Sequence, residues 1–412
     1  MDFAYTERQL RQNRRYRDLG LRHARAGSGD SNGFDWQAWH AVTNAGIWRL
    51  PLLEHDPFEF IAAFEGLCGA MRSIGFAMAV ANQATLIDAI QSLGAPEQRA
   101  ALLPRLVGGE PGATAISESG TGSEIRALQT RLSVDGDSDG LRLDGHKYNI
   151  SLAPYASLML VAARYEADAK PQTAMVLIDG AMAGVARSAP QVTLGVRDLP
   201  IGELHFDAVC IDASHLLGSP RDGLHALMRI ASMNRAYFAL MCANVVEPFL
   251  ADALRHAAAR RILGVAIDNH QHVQRRLVDV RMRAQRSRWM ALASLDELLQ
   301  DRAQALESCS IAKIVAAQDL TQSALDLLAI HGSDGYRSGA LSTFVADALA
   351  MISAGGTEEM HRKNVFAQMQ RNREPERAPV TQDARPGADA TEAADRGMLD
   401  RPSQASVSAD VA

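Results

Sequence analysis

Four long segments in the second half of the chain carry apolar residues at the spacing of an amphipathic helix, with charged residues opposite them. They span residues 224–261, 273–299, 304–330 and 341–352. Helices with one apolar face are stable when those faces pack against each other, as they do in a bundle. We therefore predict a C-terminal helix bundle over residues 223–370. Pro248 lies inside the first segment, and because proline removes a helix hydrogen bond we predict a kink near Asn244.

Residues 112–222 have a different pattern, in which short apolar runs alternate with polar turns. The runs lie at residues 141–143, 158–163, 175–178 and 203–207. Short apolar runs that are bounded by turn residues, such as the DGDSDG at 135–140, indicate β-strands. We predict a central β domain over this range.

The two ends of the chain differ from this centre. Residues 1–111 are predicted to form a helical domain, because apolar residues recur at helical spacing at 58–67 and 85–93 and because Pro96 precedes a carboxylate, as at a helix start. Residues 371–412 are rich in Pro, Ala, Asp, Gly and Ser, which predicts a disordered tail. The predicted fold class is therefore mainly α with a central β domain.

The composition argues against several classes of function. Acidic residues outnumber basic ones by 48 to 42, giving a net charge of −6, whereas nucleic-acid-binding proteins are usually basic. No apolar stretch approaches the length of about 18 residues that a membrane span needs, and the polar N-terminus contains no apolar signal segment. The 4 cysteines form no C-x-x-C pair. We expect a cytoplasmic protein without a metal site that binds neither nucleic acid nor a membrane.

Residues 115–124, AISESGTGSE, combine glycines and hydroxyl groups in a way that suits a phosphate-bearing cofactor. Gly120 and Gly122 allow backbone N–H groups to approach a ligand without a Cβ atom in the way. The hydroxyls of Ser117 and Ser123 can form hydrogen bonds with a ring edge or a pyrophosphate. By itself the segment is typical of an ordinary turn between a helix and a strand. Its assignment as a cofactor-binding segment therefore depends on the other motifs in the chain.

Further segments follow at a consistent spacing. They are GHKYNISLA at 145–153, ARRILG at 259–264 with Gln271 after it, AIHGSDGY at 329–336 and ISAGGTEEMHR at 352–362. In this order and spacing, the segments resemble the signatures of the acyl-CoA dehydrogenase family of flavoproteins, and the resemblance covers most of residues 5–370. At two positions where the family usually carries an aromatic side chain, this chain has Asn149 and Leu263.

The resemblance implies the acyl-CoA dehydrogenase fold, with an N-terminal helical domain, a β-barrel-like middle domain and a C-terminal four-helix bundle. It also implies FAD as the cofactor. The positions that match cofactor-binding positions of the family are Ile116, Ser117, Gly122, Ser123, Asn149, Ser151, Arg260, Gln271, Gly332, Gly356, Thr357 and Glu359. The positions that match substrate-binding ones are Ser123, Ser232 and Arg235. In the family, the residues that match Arg260 and Gln271 reach the flavin of a neighbouring subunit, which implies a homodimer or a homotetramer.

One departure from the family bears directly on the chemistry. The usual catalytic base is a Glu just before the Gly-Thr pair, which removes the α-proton of the thioester while a hydride leaves the β-carbon. Gly355 stands at that position, and Asn234 stands at the alternative position that a smaller set of relatives uses. Neither side chain accepts a proton, although general-base assistance typically contributes about 10²–10⁴-fold. The carboxylates nearest in sequence are those of Glu358, Glu359 and Asp347.

Several activities therefore stay open. The favoured one is FAD-dependent dehydrogenation of an acyl thioester on CoA or an acyl-carrier protein, in a specialised pathway such as polyketide or nonribosomal peptide biosynthesis. The substrate would then carry a more acidic or heteroatom-borne proton. Ser232, where relatives often have an Asp, also points away from an ordinary straight-chain acyl-CoA. A flavin-dependent monooxygenase, which needs no such Glu, is one alternative, and a non-catalytic paralogue that acts as a scaffold is the other.

Overall fold

Helices form both ends of the described chain, and one large sheet lies between them in sequence. The computed structural model describes residues 4–23, 33–120, 127–134, 140–166 and 172–371. Two of the predicted cofactor residues, Gly122 and Ser123, lie outside these ranges. So does the predicted disordered tail, apart from Arg371.

In the N-terminal part, residues 4–23 and 33–111 contain five α-helices. They are α1 (Glu7–His23), α2 (Trp36–Asn44), α3 (Phe58–Cys68), α4 (Ile74–Leu93) and α5 (Pro96–Val107). Helix α4 contacts the first strand of the sheet, α5 and the first helix of the C-terminal part, so it is buried on nearly every face. The sequence pattern indicated only its second half, because a helix that is apolar all round shows no amphipathic spacing. Ser73 caps its start by accepting a hydrogen bond from the Phe76 N–H at 2.8 Å.

The middle part is a seven-stranded mixed sheet. Its strands are β1 (Gly112–Ala115), β2 (Arg131–Val134), β3 (Leu141–Ser151), β4 (Leu158–Tyr165), β5 (Gln172–Asp179), β6 (Val185–Arg187) and β7 (Ile201–Ile211). Strand β4 pairs in parallel with β1 and β2 and antiparallel with β5, while β3 pairs antiparallel with β2 and β7. The four predicted strand segments fall within β3, β4, β5 and β7. The limits of the predicted domains stay predictions.

In the C-terminal part, as far as it is described up to residue 371, there are six α-helices and a small hairpin. The helices are α6 (Gly223–Asn244), α7 (Glu247–Ala259), α8 (Gln271–Leu299), α9 (Ala305–His331), α10 (Ala340–Ala350) and α11 (Glu358–Arg371), and the hairpin joins β8 (Arg261–Ile262) to β9 (Val265–Ala266). Helices α6, α8 and α9 pack against one another, and α10 packs on α9. Three of the four predicted helices match α8, α9 and α10 to within two residues at each end.

The prediction of one continuous helix over residues 224–261 was wrong. Helix α6 ends at Asn244 and α7 begins at Glu247, with Pro248 in its first turn. A proline ring collides with the carbonyl four residues earlier, which here belongs to Asn244. The chain therefore breaks at the point where a kink was predicted. Helix α11 was missed because His361 is its one buried side chain, so its sequence carries no apolar stripe.

The region Pro220–Ala259 is apolar enough to be compared with a membrane span, since its best window has a mean hydropathy of 1.3. Within the protein, 67% of that window is buried. Its apolar side chains contact α3, α4, α8 and α9, which is the environment of a core helix in a globular protein.

Candidate functional site

A cavity of about 720 Å³ lies where helices α4, α6 and α10 meet the sheet. Its lining combines apolar side chains with a small number of polar groups, as is typical of cofactor and substrate pockets. Eight of the positions singled out in the sequence line it: Ile116, Ser117, Asn149, Ser151, Asn234, Arg235, Gly355 and Gly356. They come from distant segments, and the fold brings them together.

The sheet side of the cavity is held by a buried ion pair. The Lys147 ammonium donates to Glu118 Oε1 at 2.7 Å and to the Ile116 carbonyl at 3.1 Å. Glu118 also accepts hydrogen bonds from the backbone N–H groups of Gln129 and Thr130, at 2.6 and 3.0 Å. Both charged side chains are almost fully buried, so the pair fixes the cavity-lining segment 116–118 against β3.

The burial of this pair affects both of its members. It lowers the pKa of Lys147 to about 8, although Glu118 opposes that shift. Burial acts to raise the pKa of Glu118, but the hydrogen bonds from Lys147 and from the backbone outweigh it, and the pKa is lowered. Glu118 is therefore ionised at neutral pH and serves as an anchor.

A bulge in β3 directs two residues toward the cavity. The register between β3 and β7 shifts between Lys147 and Ile150, and Asn149 there has a positive φ of 55°. Asparagine tolerates this left-handed conformation better than most residues. Tyr148 and Asn149 both line the cavity, and the Tyr148 N–H donates to the Ser117 carbonyl at 2.9 Å. The bulge thus ties β3 to the Gly/Ser segment, with a short polar side chain where relatives carry an aromatic one.

Helix α6 supplies the opposite wall. The Asn234 amide donates to Asn82 Oδ1 at 2.7 Å, and both residues line the cavity. Arg235 is 4% exposed, and its Nε donates to the Gly355 carbonyl at 3.4 Å. Its Nη1 is buried and has no hydrogen-bond partner. Burial lowers the pKa of Arg235 to about 10, so the guanidinium is charged at neutral pH.

The turn that carries Gly355 and Gly356 is held from below by a buried lysine. The Lys313 ammonium donates to the carbonyls of Met351 and Gly356 at 2.8 and 2.9 Å. Burial lowers the pKa of Lys313 to about 8, and it lowers that of the fully buried His361 to about 3. Position 355, where relatives carry the catalytic Glu, therefore has the charged Lys313 and Arg235 and the neutral His361 around it.

The backbone conformation at position 355 favours glycine. Its φ is +73°, which is unfavourable for residues with a Cβ atom, and an added Cβ would lie 3.2 Å from Phe238 Cδ2. Gly356 has a φ of +109°. The turn therefore differs in backbone conformation, as well as in side chain, from one that would present a glutamate easily.

None of the three neighbouring carboxylates lines the cavity. Glu358 bonds to Arg362 and, at 2.8 Å, to Gln318, and Glu359 is exposed. Asp347 is 4% exposed and accepts a hydrogen bond from the Val196 N–H at 2.6 Å. Because Val196 is a lining residue, Asp347 positions the cavity wall.

Three predicted cofactor residues lie away from the cavity. Arg260 follows the end of α7, Gln271 begins α8, and Gly332 follows α9, and all three are exposed. Thr357 and Glu359 directly follow the lining turn but do not line the cavity. The reach of Arg260 and Gln271 to the flavin of another subunit stays a prediction.

Ser232 does not line the cavity, although its neighbour Ala231 does. Its side chain is fully buried, and its Oγ has no hydrogen-bond partner. Three basic residues and an acid at the site were missed: Lys147, Lys313, His361 and Glu118. A lysine inside an otherwise strand-like segment, as in GHKYNIS, was the available signal for the first of them.

A second cluster of chemically active side chains lies on neighbouring strands outside the cavity. His146 Nε2 is 2.8 Å from Glu203 Oε2, and the ring of His146 stacks on that of His205 with centroids 4.2 Å apart. The possible ligand atoms of these three residues lie within 4.8 Å of one another. Glu203 also accepts a hydrogen bond from Gln191 at 3.2 Å, so the cluster is already hydrogen-bonded. The expected absence of a metal site stays a prediction.

Comparison with known proteins decides the family. Residues 113–209 match the acyl-CoA dehydrogenase middle domain, and residues 221–370 match the acyl-CoA dehydrogenase C-terminal domain. The chain belongs to the acyl-CoA dehydrogenase family. The resemblance inferred from the motifs is thereby confirmed, as are the fold and the class of FAD-dependent oxidoreductases.

Two curated relatives illustrate the range of this family. The chain is 23% identical over 385 residues to the L-prolyl-[peptidyl-carrier protein] dehydrogenase of Pseudomonas fluorescens, covering 90% of this chain and 100% of that protein. It is 26% identical over 304 residues to the cyclohexane-1-carbonyl-CoA dehydrogenase of Geobacter metallireducens, covering 70% and 78%.

Solved structures of acyl-CoA dehydrogenase relatives have the same fold. The prolyl acyl carrier protein oxidase AnaB superimposes with a TM-score of 0.80 at 22% identity, over 89% of this chain and 100% of that one. Butyryl-CoA dehydrogenase from Megasphaera elsdenii superimposes with a TM-score of 0.82 at 20% identity, over 90% and 100%.

We predict that Asp347→Asn changes the pH dependence of stability. Burial raises the pKa of Asp347 to about 7 from 3.8, with Asp198 adding to the shift. A carboxyl group whose pKa is raised by folding favours the folded state when protonated. Its ionisation therefore costs stability as the pH rises from about 4 to 7. Asparagine keeps the acceptor for Val196 and does not ionise.

Urea unfolding from pH 4 to 8 measures this effect. Over that range, the free energy of unfolding of the wild type should fall by about 2–4 kcal/mol relative to that of Asp347→Asn. Asp18→Asn, at an exposed position, is the matched control. Its free energy of unfolding should change with pH in parallel with that of the wild type. Parallel curves for Asp347→Asn as well would show that Asp347 is ionised without cost.

Proposed function

We propose that the chain catalyses FAD-dependent dehydrogenation of an acyl thioester, carried by CoA or by an acyl-carrier protein, in a specialised biosynthetic pathway. The observation that carries the proposal is the cavity, which brings together five of the matched flavin positions and the matched substrate position Arg235, while both base positions hold residues that accept no proton. Relatives named as acting on prolyl groups of carrier proteins support a carrier-bound substrate.

The residues at the cavity fit a flavin. Ile116, Ser117, Asn149 and Ser151 line its sheet side, and the hydroxyl of Thr114 is buried there without a hydrogen-bond partner. These groups, with the backbone of the turn at Gly356, would hold the ring system. When bound, FAD supplies a two-electron acceptor for a hydride from the substrate. The chain's own part is to orient the thioester and to exclude water with its apolar lining.

The proton side of the reaction must be organised differently from that of most relatives. Asn234 is held by Asn82 and offers an amide, and Gly355 offers only its backbone. We therefore propose a substrate whose proton is more acidic than that of a simple acyl chain or is borne by a heteroatom, as in a hydroxyacyl or aminoacyl thioester. A more acidic proton needs less assistance from a base, and a heteroatom-borne proton can stay on its atom while the hydride leaves and pass to water when the product departs.

We propose a cytoplasmic homo-oligomer in which Arg260 and Gln271 complete the cofactor site of a neighbouring subunit. The exposed hairpin between Arg260 and Gln271 supports this arrangement. Ile262, Leu263 and Val265 are 53%, 98% and 46% exposed. Apolar side chains grouped at such a tip favour burial against a partner, and arginine is well suited to pair with a pyrophosphate.

The purified protein tests the main proposal. We expect a yellow protein that contains FAD and converts pantetheine thioesters of hydroxyacyl or aminoacyl groups into products two hydrogens lighter, as measured by mass spectrometry. Incorporation of ¹⁸O from labelled O₂ would favour the monooxygenase instead. A colourless protein that does not bind added FAD would leave the non-catalytic scaffold as the remaining alternative.

Leu263→Asn tests the intersubunit proposal. Asparagine accepts the positive φ of 51° at this position, so the hairpin keeps its shape while its apolar contact is lost. We expect a smaller assembly by light scattering and FAD affinity reduced by about tenfold or more. Leu21→Asn, at a helix position that is 60% exposed, is the matched control. Unchanged assembly and FAD affinity in Leu263→Asn would contradict the proposal.

A further inference from the structure

Among the residues that the structure describes, Arg235 is a buried charge that no carboxylate balances. It is 4% exposed and lines the cavity, yet its Nη1 has no hydrogen-bond partner. Its other contacts are weak, since Nε lies 3.4 Å from the Gly355 carbonyl and Nη2 lies 3.9 Å from the Met360 sulfur. A guanidinium has five N–H donors, so most of its capacity is unused.

A second cation lies near Arg235. The buried Lys313 holds the same turn and is charged at neutral pH, whereas His361, whose pKa is lowered to about 3, is neutral there. The charge of Arg235 lowers the pKa of both side chains. Within the described residues, no Asp or Glu acts on the pKa of Arg235, and the weak opposing effect comes from Cys309. Glu358 acts on Lys313, but it is engaged by Arg362 and Gln318.

A buried unpaired charge is costly, because water is removed and nothing replaces it. In relatives, the turn at this position carries the catalytic carboxylate. Here the turn is fixed as glycine by the φ of +73° and by Phe238 at 3.2 Å from a Cβ position. The protein therefore keeps the cation and presents no anion from the same turn.

Resting on the proposed function, we propose that the substrate supplies this anion: a short acyl thioester whose acyl group carries a carboxylate, bound by Arg235 beside the reacting carbons. A carboxylate and a guanidinium form paired, charge-assisted hydrogen bonds. A small rotation of the guanidinium would turn the unused Nη1 and the loosely held Nη2 toward this carboxylate as donors. A neutral acyl chain would cover the cation without pairing it, and it would bind less well for that reason.

Binding to the FAD-loaded protein tests the proposal directly. Succinyl-pantetheine and butyryl-pantetheine have acyl chains of the same length and differ in one carboxylate. By isothermal titration calorimetry under anaerobic conditions, we expect the wild type to bind the succinyl thioester about tenfold more tightly or better. Arg235→Gln should abolish the preference, and Arg235→Lys should restore part of it.

Arg229→Gln is the matched control. Arg229 lies on the same helix, pairs with Asp301 at 2.7 Å and does not line the cavity, so this variant should keep the preference. Equal affinity of the wild type for both thioesters, or a preference that survives in Arg235→Gln, would overturn the proposal.

Stability gives a readout that does not depend on catalysis. Without ligand, Arg235→Met should melt at the same temperature as the wild type or higher, because it removes an unpaired buried charge. Added succinyl-pantetheine should raise the melting temperature of the wild type but not that of the variant. A protein that holds FAD and oxidises neutral and carboxylate-bearing thioesters equally well would refute the proposed carboxylate-bearing substrate while leaving the proposed function intact. A protein without FAD would refute the proposed function itself.

Discussion

The site depends on the buried ion pair of Lys147 and Glu118. One member lies on β3 and the other follows β1, so their contact at 2.7 Å joins the two segments that line the sheet side of the cavity. The attraction within a buried ion pair offsets the loss of hydration only when further hydrogen bonds satisfy its remaining donors and acceptors. Glu118 accepts two from backbone N–H groups and Lys147 donates one to a carbonyl. The bulge at Asn149 and the Gly/Ser segment are placed as a consequence.

The sequence predicted the order of helix and sheet because helix faces and strand runs leave periodic patterns. It predicted only part of α4, which is apolar all round, and it missed α11, which buries one side chain. At the site, the motifs indicated eight lining positions. They gave no sign of Lys313 and His361, because their burial beneath the turn at Gly355 depends on tertiary packing. Pro248 predicted a kink near Asn244, but not that one helix would end there and a second would begin at Glu247.

The chemistry of this family member has been altered at one side of the cavity. The sheet side holds Ile116, Ser117, Asn149 and Ser151 beside the buried ion pair, while the opposite side holds Asn234 and Gly355. At neutral pH the charged Arg235 and Lys313 and the neutral His361 surround the turn, whose residues 355 and 356 are glycines. That environment disfavours a developing cation and favours a developing anion. A substrate with an acidic proton or an anionic group suits such a site, whereas a simple acyl chain does not.

Exchange of the α-proton measures the central claim most directly. Butyryl-pantetheine in D₂O, with the FAD-loaded protein, should keep its α-protons by NMR, because neither of the family's base positions carries a carboxylate and Glu118 is held by Lys147. Asn234→Glu places a base at a position that lines the cavity and should introduce exchange, whereas Asn234→Gln should not. Rapid exchange in the wild type, equal to that of Asn234→Glu, would show that the protein has a functional base and would contradict the account.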